Sequence, residues 1–267
     1  MSELNSMPDQ GVMTPAVALT DDVLWLFESF RLPTRVAAGD STHTAVHVSV
    51  FLVRSAEGWI IIDSGSFHHR DRILARIGRT LGRDPIRALI LSHSDYPHSA
   101  NIGPLRRRWG DFEIVASCGS AEIQGLPYAT RVPIGGSLSL ANRTFRFLDP
   151  PLADRSHTSW IYDERDRILF VADGFGSYHS LEHVDRTSLD FSEGIARTAI
   201  LDFHRDTLPW LRYADPKLMA QAFDSLFDQN PVEWVAPIHG HPIHHTSIGG
   251  YLGHLNDSIG QIVAEAR

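Results

Sequence analysis

At 267 residues the chain is long enough for one large domain with a substantial core, and 24 Lys and Arg against 32 Asp and Glu give a formal net charge of -8, which removes electrostatic support for a nucleic-acid or anionic-membrane surface. A single cysteine, Cys118, excludes an internal disulfide and any centre built from four thiolates, and fits a reducing, cytoplasmic setting. No basic leader runs into an apolar stretch, no apolar run reaches the length of a bilayer span, and none of these classes explains 15 histidines bunched at loop positions.

Residues 1–20 are polar and Pro-containing and are expected to be mobile; 21–267 read as one domain. HVSVFLV (47–53) and WIIID (59–63) are β-branched apolar runs separated by the turn-forming SAEG, which predicts an antiparallel hairpin. Arg70 to Leu81 places Ile73, Leu74, Ile77 and Leu81 on one helical face, and IRALIL (86–91) is again a short apolar strand. A short helix is expected within Ala100 to Arg108, with Arg106, Arg107 and Arg108 on a solvated face, followed by strand FEIVAS (112–117). TFRFL (144–148) is a further strand, and SWIYD with RILFVAD forms a second hairpin turning through Glu164 to Asp166. Asp215 as N-cap and Pro216 at the first helical position open a helix whose apolar face carries Leu218, Met219, Ala222, Phe223, Leu226 and Phe227. Strand VEWVAPI (232–238) and a C-terminal helix with Leu252, Leu255, Ile259 and Ile262 complete the chain. Hairpins in places and strand–helix alternation in others predict an α/β (α+β) domain of two mixed sheets with helices outside.

Each polar cluster follows an apolar strand: Asp63 to Gly65 after WIII, His93 to His98 after IRALIL, Asp173 after RILFVA, and His239 to His245 after VEWVAPI. Strand ends on one edge of a sheet converge, so four loops bring their side chains together on a rigid frame. Imidazole and carboxylate groups are ligands for borderline and hard divalent ions, with no thiolate required. His43, His47, His68 and His69 are expected as strand or solvent-facing residues, His241, His244 and His245 as surface loop residues, and Trp160, Phe175, Tyr178 and His179 as core or cavity wall.

The order IIDSG, LSHSDYPH, RILFVADGFGS, VAPIHG resembles the metallo-β-lactamase superfamily, and more narrowly its diiron branch of flavodiiron and oxygen-binding diiron proteins, over residues 45 to 265. The resemblance implies a four-layer αββα sandwich. It matches His93 and His98 to the first and last histidines of the HxHxDH or HxExDH signature, Asp173 to the bridging carboxylate, His239 to the final histidine, and Asp63 to an aspartate that orients ligands from behind. Three positions depart from the pattern. Asp95 stands where the zinc hydrolases have His and the flavodiiron proteins Glu, a hard oxygen donor that favours iron over zinc. Pro97 stands where both branches have Asp; it can neither ligate nor take a proton, which weakens a hydrolase reading and leaves the second ion with His98, Asp173 and His239. In PLADRSHTSWIY the remaining ligand histidine falls on Asp154, and His157 follows three residues later; His157 is favoured as ligand, with Asp154 as the alternative.

What the resemblance implies is a non-haem diiron oxidoreductase or oxygen-binding protein reacting with O2 or NO, carrying two irons per chain with the second weakly held, zinc or manganese being the alternative metals. No flavodoxin-like segment is expected in this chain and hence no FMN, so electrons come from an external donor protein or an organic substrate; a homodimer is also expected. The alternatives are a metal-dependent hydrolase of esters, lactones or thioesters, and a non-catalytic sensor of O2 or metal.

Overall fold

The structure is a computed structural model that describes residues 15–37, 39, 42–117, 128–155 and 157–266. Residues 1–14 of the segment expected to be mobile, and Cys118, lie outside them. Strand β1 (Val17–Ala18) pairs antiparallel with β2 (Val23–Arg31), and a short helix α1 (Pro33–Ala37) leads to β3 (Ala45–Ser55), which pairs antiparallel with β2 and, across the expected hairpin, with β4 (Gly58–Ile62). Helix α2 (Arg70–Leu81) crosses to β5 (Ile86–Ile90), parallel to β4; α3 (Tyr96–Ser99) and α4 (Ile102–Trp109) lead to β6 (Glu113–Ser117), and β7 (Thr130–Val132) closes the order β1-β2-β3-β4-β5-β6-β7. The second sheet takes β8 (Ser137–Leu140), β9 (Arg143–Leu148), β10 (Trp160–Asp163) and β11 (Ile168–Phe170) as antiparallel neighbours. After α5 (Arg197–Thr207) and α6 (Pro216–Gln229), β12 (Trp234–Ala236) enters parallel to β11; β13 (Ile243–His244) is the edge strand, and α7 (His245–Glu265) ends the domain.

The two sheets bury their facing sides against one another, with Trp25, Phe51, Ile60 and Ile90 from the first meeting Phe145, Phe147, Ile161 and Phe170 from the second. The outer face of the first sheet packs Trp59, Ile61 and Leu89 under Ile73 and Ile77 of α2 and Leu105 of α4. On the other side Leu169 and Val235 lie under Ile200 of α5, Phe223 of α6 and Leu255 and Ile259 of α7. The result is helix, sheet, sheet, helix, with both sheets apolar on both faces.

Alpha-helical periodicity held where burial governs it: α2 has the predicted bounds, and α6 opens as expected, Asp215 Oδ1 accepting from the backbone N–H of Lys217 at 2.8 Å. Leu218 departs from the predicted apolar face, being 62% exposed. At the turn joining β10 to β11, Arg143 lies fully buried between the sheets: its guanidinium pairs with Asp163 and Asp166 of the second sheet and with Asp22 beside the first, and its Nε donates to the Arg54 carbonyl at the end of β3. No helix among the described residues is long and apolar enough to cross a membrane.

Candidate metal centre

The carboxyl ends of β4, β5, β11 and β12 open onto one edge of the sandwich, opposite the end held by Arg143. Asp63 follows β4 in a left-handed conformation (φ 54°), and Ala172 and Phe175 flank Asp173 with φ 49° and 55°. These are costly backbone states for residues with a Cβ, kept where the surroundings over-determine them. Asn101 holds the loop after β4 in place, its Nδ2 donating to the carbonyls of Ser64, Gly65 and Ser66.

Asp63 is fully buried and accepts three hydrogen bonds: from Ser92 N at 2.9 Å, Ser92 Oγ at 2.7 Å and His98 Nδ1 at 2.9 Å. The last bond turns His98 Nε2 toward Asp173, whose Oδ1 is 3.1 Å away. From the second sheet His239 donates its Nδ1–H to the His47 carbonyl at 2.6 Å, and its Nε2 lies 3.3 Å from the same Asp173 oxygen. His93 holds its ring centroid 3.8 Å from that of His98, the planes tilted by 44°, and places Nε2 3.6 Å from Asp154 Oδ2. Two ligand groups result, His93–His98–Asp173 and His93–Asp95–Asp154, each with donor atoms within 4.8 Å of one another.

Of the two alternatives in the 150s loop, Asp154 is the residue whose carboxylate reaches this cluster. His157 turns its Nε2 to Ser94 Oγ at 3.2 Å, with its ring 6.4 Å from that of His93. Arg155, absent from the sequence-based candidates, sits at the mouth. Its Nη2 and Nε donate to Asp95 Oδ2 at 2.6 and 3.1 Å, and its Nε is 3.5 Å from Asp154 Oδ2. His47, expected as an ordinary strand residue, is the backbone anchor of His239, and His241, expected at the surface, is buried against His47 and His179.

The electrostatics follow from burial and these neighbours. Burial, then the charge of His98, pushes the His93 imidazole down to about 4. Burial alone would depress His98 too, but the Asp63 and Asp173 carboxylates win and raise it to about 10. Burial would likewise raise Asp173, yet His239 and His98 hold its carboxyl well below the usual range. His93 Nε2, His98 Nε2 and Asp173 Oδ1 are buried polar atoms that make no hydrogen bond, the last two facing one another as an ion pair at 3.1 Å. Unpaired buried polar atoms aimed at one point are costly unless something else occupies it. A cation fits that requirement and this donor set.

The fold and the convergence of histidine and carboxylate groups at its open edge define a metallo-β-lactamase-type metal-binding domain. The chain belongs to the metallo-beta-lactamase superfamily, which it matches over residues 43–211. It is 25% identical over 272 residues to the Type A flavoprotein fprA of Rhodobacter capsulatus, covering 94% of this chain and 57% of the relative. It is also 25% identical over 207 residues to the coenzyme F420H(2) oxidase of Methanothermobacter thermautotrophicus, covering 72% and 49%. Among solved structures it superposes on the flavodiiron protein from Giardia intestinalis with a TM-score of 0.72 and 15% identity, over 93% of this chain and 60% of that one. The chain thus spans about half the length of the curated relatives it matches.

Proposed function

We propose that this chain carries the metal centre of a non-haem diiron oxidoreductase that reacts with O2 or NO. The observation that carries the reading is the shared carboxylate: Asp173 offers an oxygen within 4.8 Å of donor atoms of both His93 and His98, and its Oδ1 lies 3.1 and 3.3 Å from Nε2 of His98 and His239. A carboxylate within reach of His93 and of the His98–His239 pair is one that could serve two ions. His93, Asp95, Asp154 and Asp173 would hold the first ion, and His98, His239 and Asp173 the second. Mixed imidazole and carboxylate donors suit iron better than a histidine-rich set would.

Bound iron supplies one-electron redox chemistry toward a diatomic ligand; the rest is the work of the protein. The Asp63 and His47 acceptors fix both imidazoles with hydrogen on Nδ1, so that Nε2 is the free donor. Arg155 keeps positive charge at the mouth beside Asp95 and Asp154. Pro97 leaves the second ion one oxygen donor short of the family pattern and offers no base for water activation, which argues against a hydrolase. Reducing equivalents are drawn from a separate donor, and pairing of two chains, as in a homodimer, belongs to the same proposal.

Protein produced with excess iron and analysed for metal tests this directly. The wild type should hold two irons per chain, show near-ultraviolet ligand-to-metal absorption, and change that spectrum on reaction of the reduced form with O2 or NO. Asp173→Ala should lose most of the iron, since one side chain serves both ions. Full iron stoichiometry in that variant would remove the basis of the proposal.

A further inference from the structure

Glu233 precedes β12, while His244 ends β13 and His245 opens α7, so the three residues flank the connection that carries His239. His244 Nε2 lies 3.4 Å, and His245 Nδ1 3.1 Å, from the same Glu233 oxygen, Oε1. One donor atom from each residue falls within 4.8 Å of the other two; among the described residues the other such groups both include His93 and belong to the centre above.

The atoms that converge are those left over once neighbours have taken the rest. His244 Nδ1 is engaged by Thr246 Oγ1 at 2.8 Å, and Glu233 Oε2 accepts from Arg167 Nη2 at 2.9 Å. Fixing the far atom of a ligand with an outer partner is how proteins orient metal-binding side chains. The backbone adds rigidity, because His245 N donates to the Glu233 carbonyl at 2.8 Å and Trp234 pairs with His244 in the sheet. The two imidazole rings lie 4.2 Å apart, centroid to centroid, so their donor nitrogens can address one ion. His245 is half exposed, which leaves room for water to complete a coordination shell.

We propose that Glu233, His244 and His245 form a second cation site, distinct from the Asp173 centre, that takes a borderline divalent ion of the zinc, nickel or copper class. Two nitrogens and one carboxylate oxygen match those ions and not calcium or magnesium, which require oxygen shells. An ion bound there ties the strand entering the His239 loop to the helix leaving it. The site therefore grips the base of a loop whose tip serves the main centre.

The experiment is a Zn2+ titration of the metal-stripped full chain by calorimetry and elemental analysis, in two pairs: wild type against His245→Ala, and Asp173→Ala against Asp173→Ala/His245→Ala. Each pair should differ by one zinc equivalent, and Glu233→Gln should repeat the loss in folded protein judged by circular dichroism. Cu2+ in the Asp173→Ala background should give an electron paramagnetic resonance signal split by two nitrogens, collapsing to one or none with His245→Ala. No difference within the pairs would overturn the proposal, since a Glu233 acting only as counter-charge for the α7 N-terminus leaves zinc stoichiometry untouched. A failed reading of the Asp173 centre shows separately, as a wrong total in wild type and Asp173→Ala.

Discussion

Asp63→Asn should weaken metal binding by roughly 10- to 100-fold while leaving the chain folded, the range expected when an outer partner of a ligating histidine is lost. The choice of asparagine follows from the three donors that Asp63 satisfies in a fully buried position. Alanine would orphan all of them, at about 1–3 kcal/mol each, and would put a side chain without local hydrogen bonding at φ 54°. That variant would report on folding, not on metal. Asparagine keeps the shape and tolerates the left-handed conformation, but it has one carbonyl oxygen and an amide that must face a donor, so either Ser92 or His98 loses its acceptor. The negative charge behind His98 disappears as well. A tenfold to hundredfold loss corresponds to about 1.4–2.7 kcal/mol, less than a whole buried ligand network is worth. Competition of Fe2+ or Co2+ against a chromophoric chelator measures it, with thermal melts run beside. Wild-type affinity in a folded variant would refute the idea that Asp63 orients His98 for an ion.

Arg155→Ala should tighten binding at the first ion, because the guanidinium now occupies Asp95 Oδ2 and leans on Asp154; equilibrium dialysis reads the change, and weaker binding would make Arg155 a support instead of a competitor. Stability should fall between pH 6.5 and 4. Burial lowers His179 and His204 to about 4, so the unfolded chain takes up protons that the folded chain refuses, and stability held in full above 6.5 is lost at about 1.4 kcal/mol per pH unit for each group. Urea midpoints that stay level from pH 7 to 5 would contradict this. Gly176→Ala would drive a methyl group into the Phe203 ring and should cost about 1–3 kcal/mol in a urea melt; an unchanged midpoint would mean that α5 can shift to admit it.

Much of this layout was legible because burial and pattern agree. The runs WIII and ILF are buried without interruption, and IRALI is broken only by the exposed Arg87; a polar donor follows each within a few residues, so the strand and its ligand announce one another. Helix α2 is equally plain from its spacing. β2 was missed because Glu28 interrupts an apolar strand, and the reason it can be buried there, pairing with Arg72 and Arg76, lies more than forty residues away. Helix α3 hides inside the histidine motif, opened by Asp95 and with Pro97 in its first turn; it is what brings His98 back beneath His93. The choice between Asp154 and His157 depended on which way an irregular loop turns. Local residue types do not reveal that turn, in which the Thr158 hydroxyl donates to Asp154 at 2.8 Å. Arg155 and His47 act through partners sixty and nearly two hundred residues distant, with no periodicity to reveal them.

Arg143 gives the sandwich a pivot. It clamps the two halves at the rim farthest from Asp173, with grease between, so withdrawing ions unlocks one rim only. The metal-free molecule should then gape instead of separating, and hydrogen exchange should quicken first beyond β5, β11 and β12 and last around the 163–168 turn.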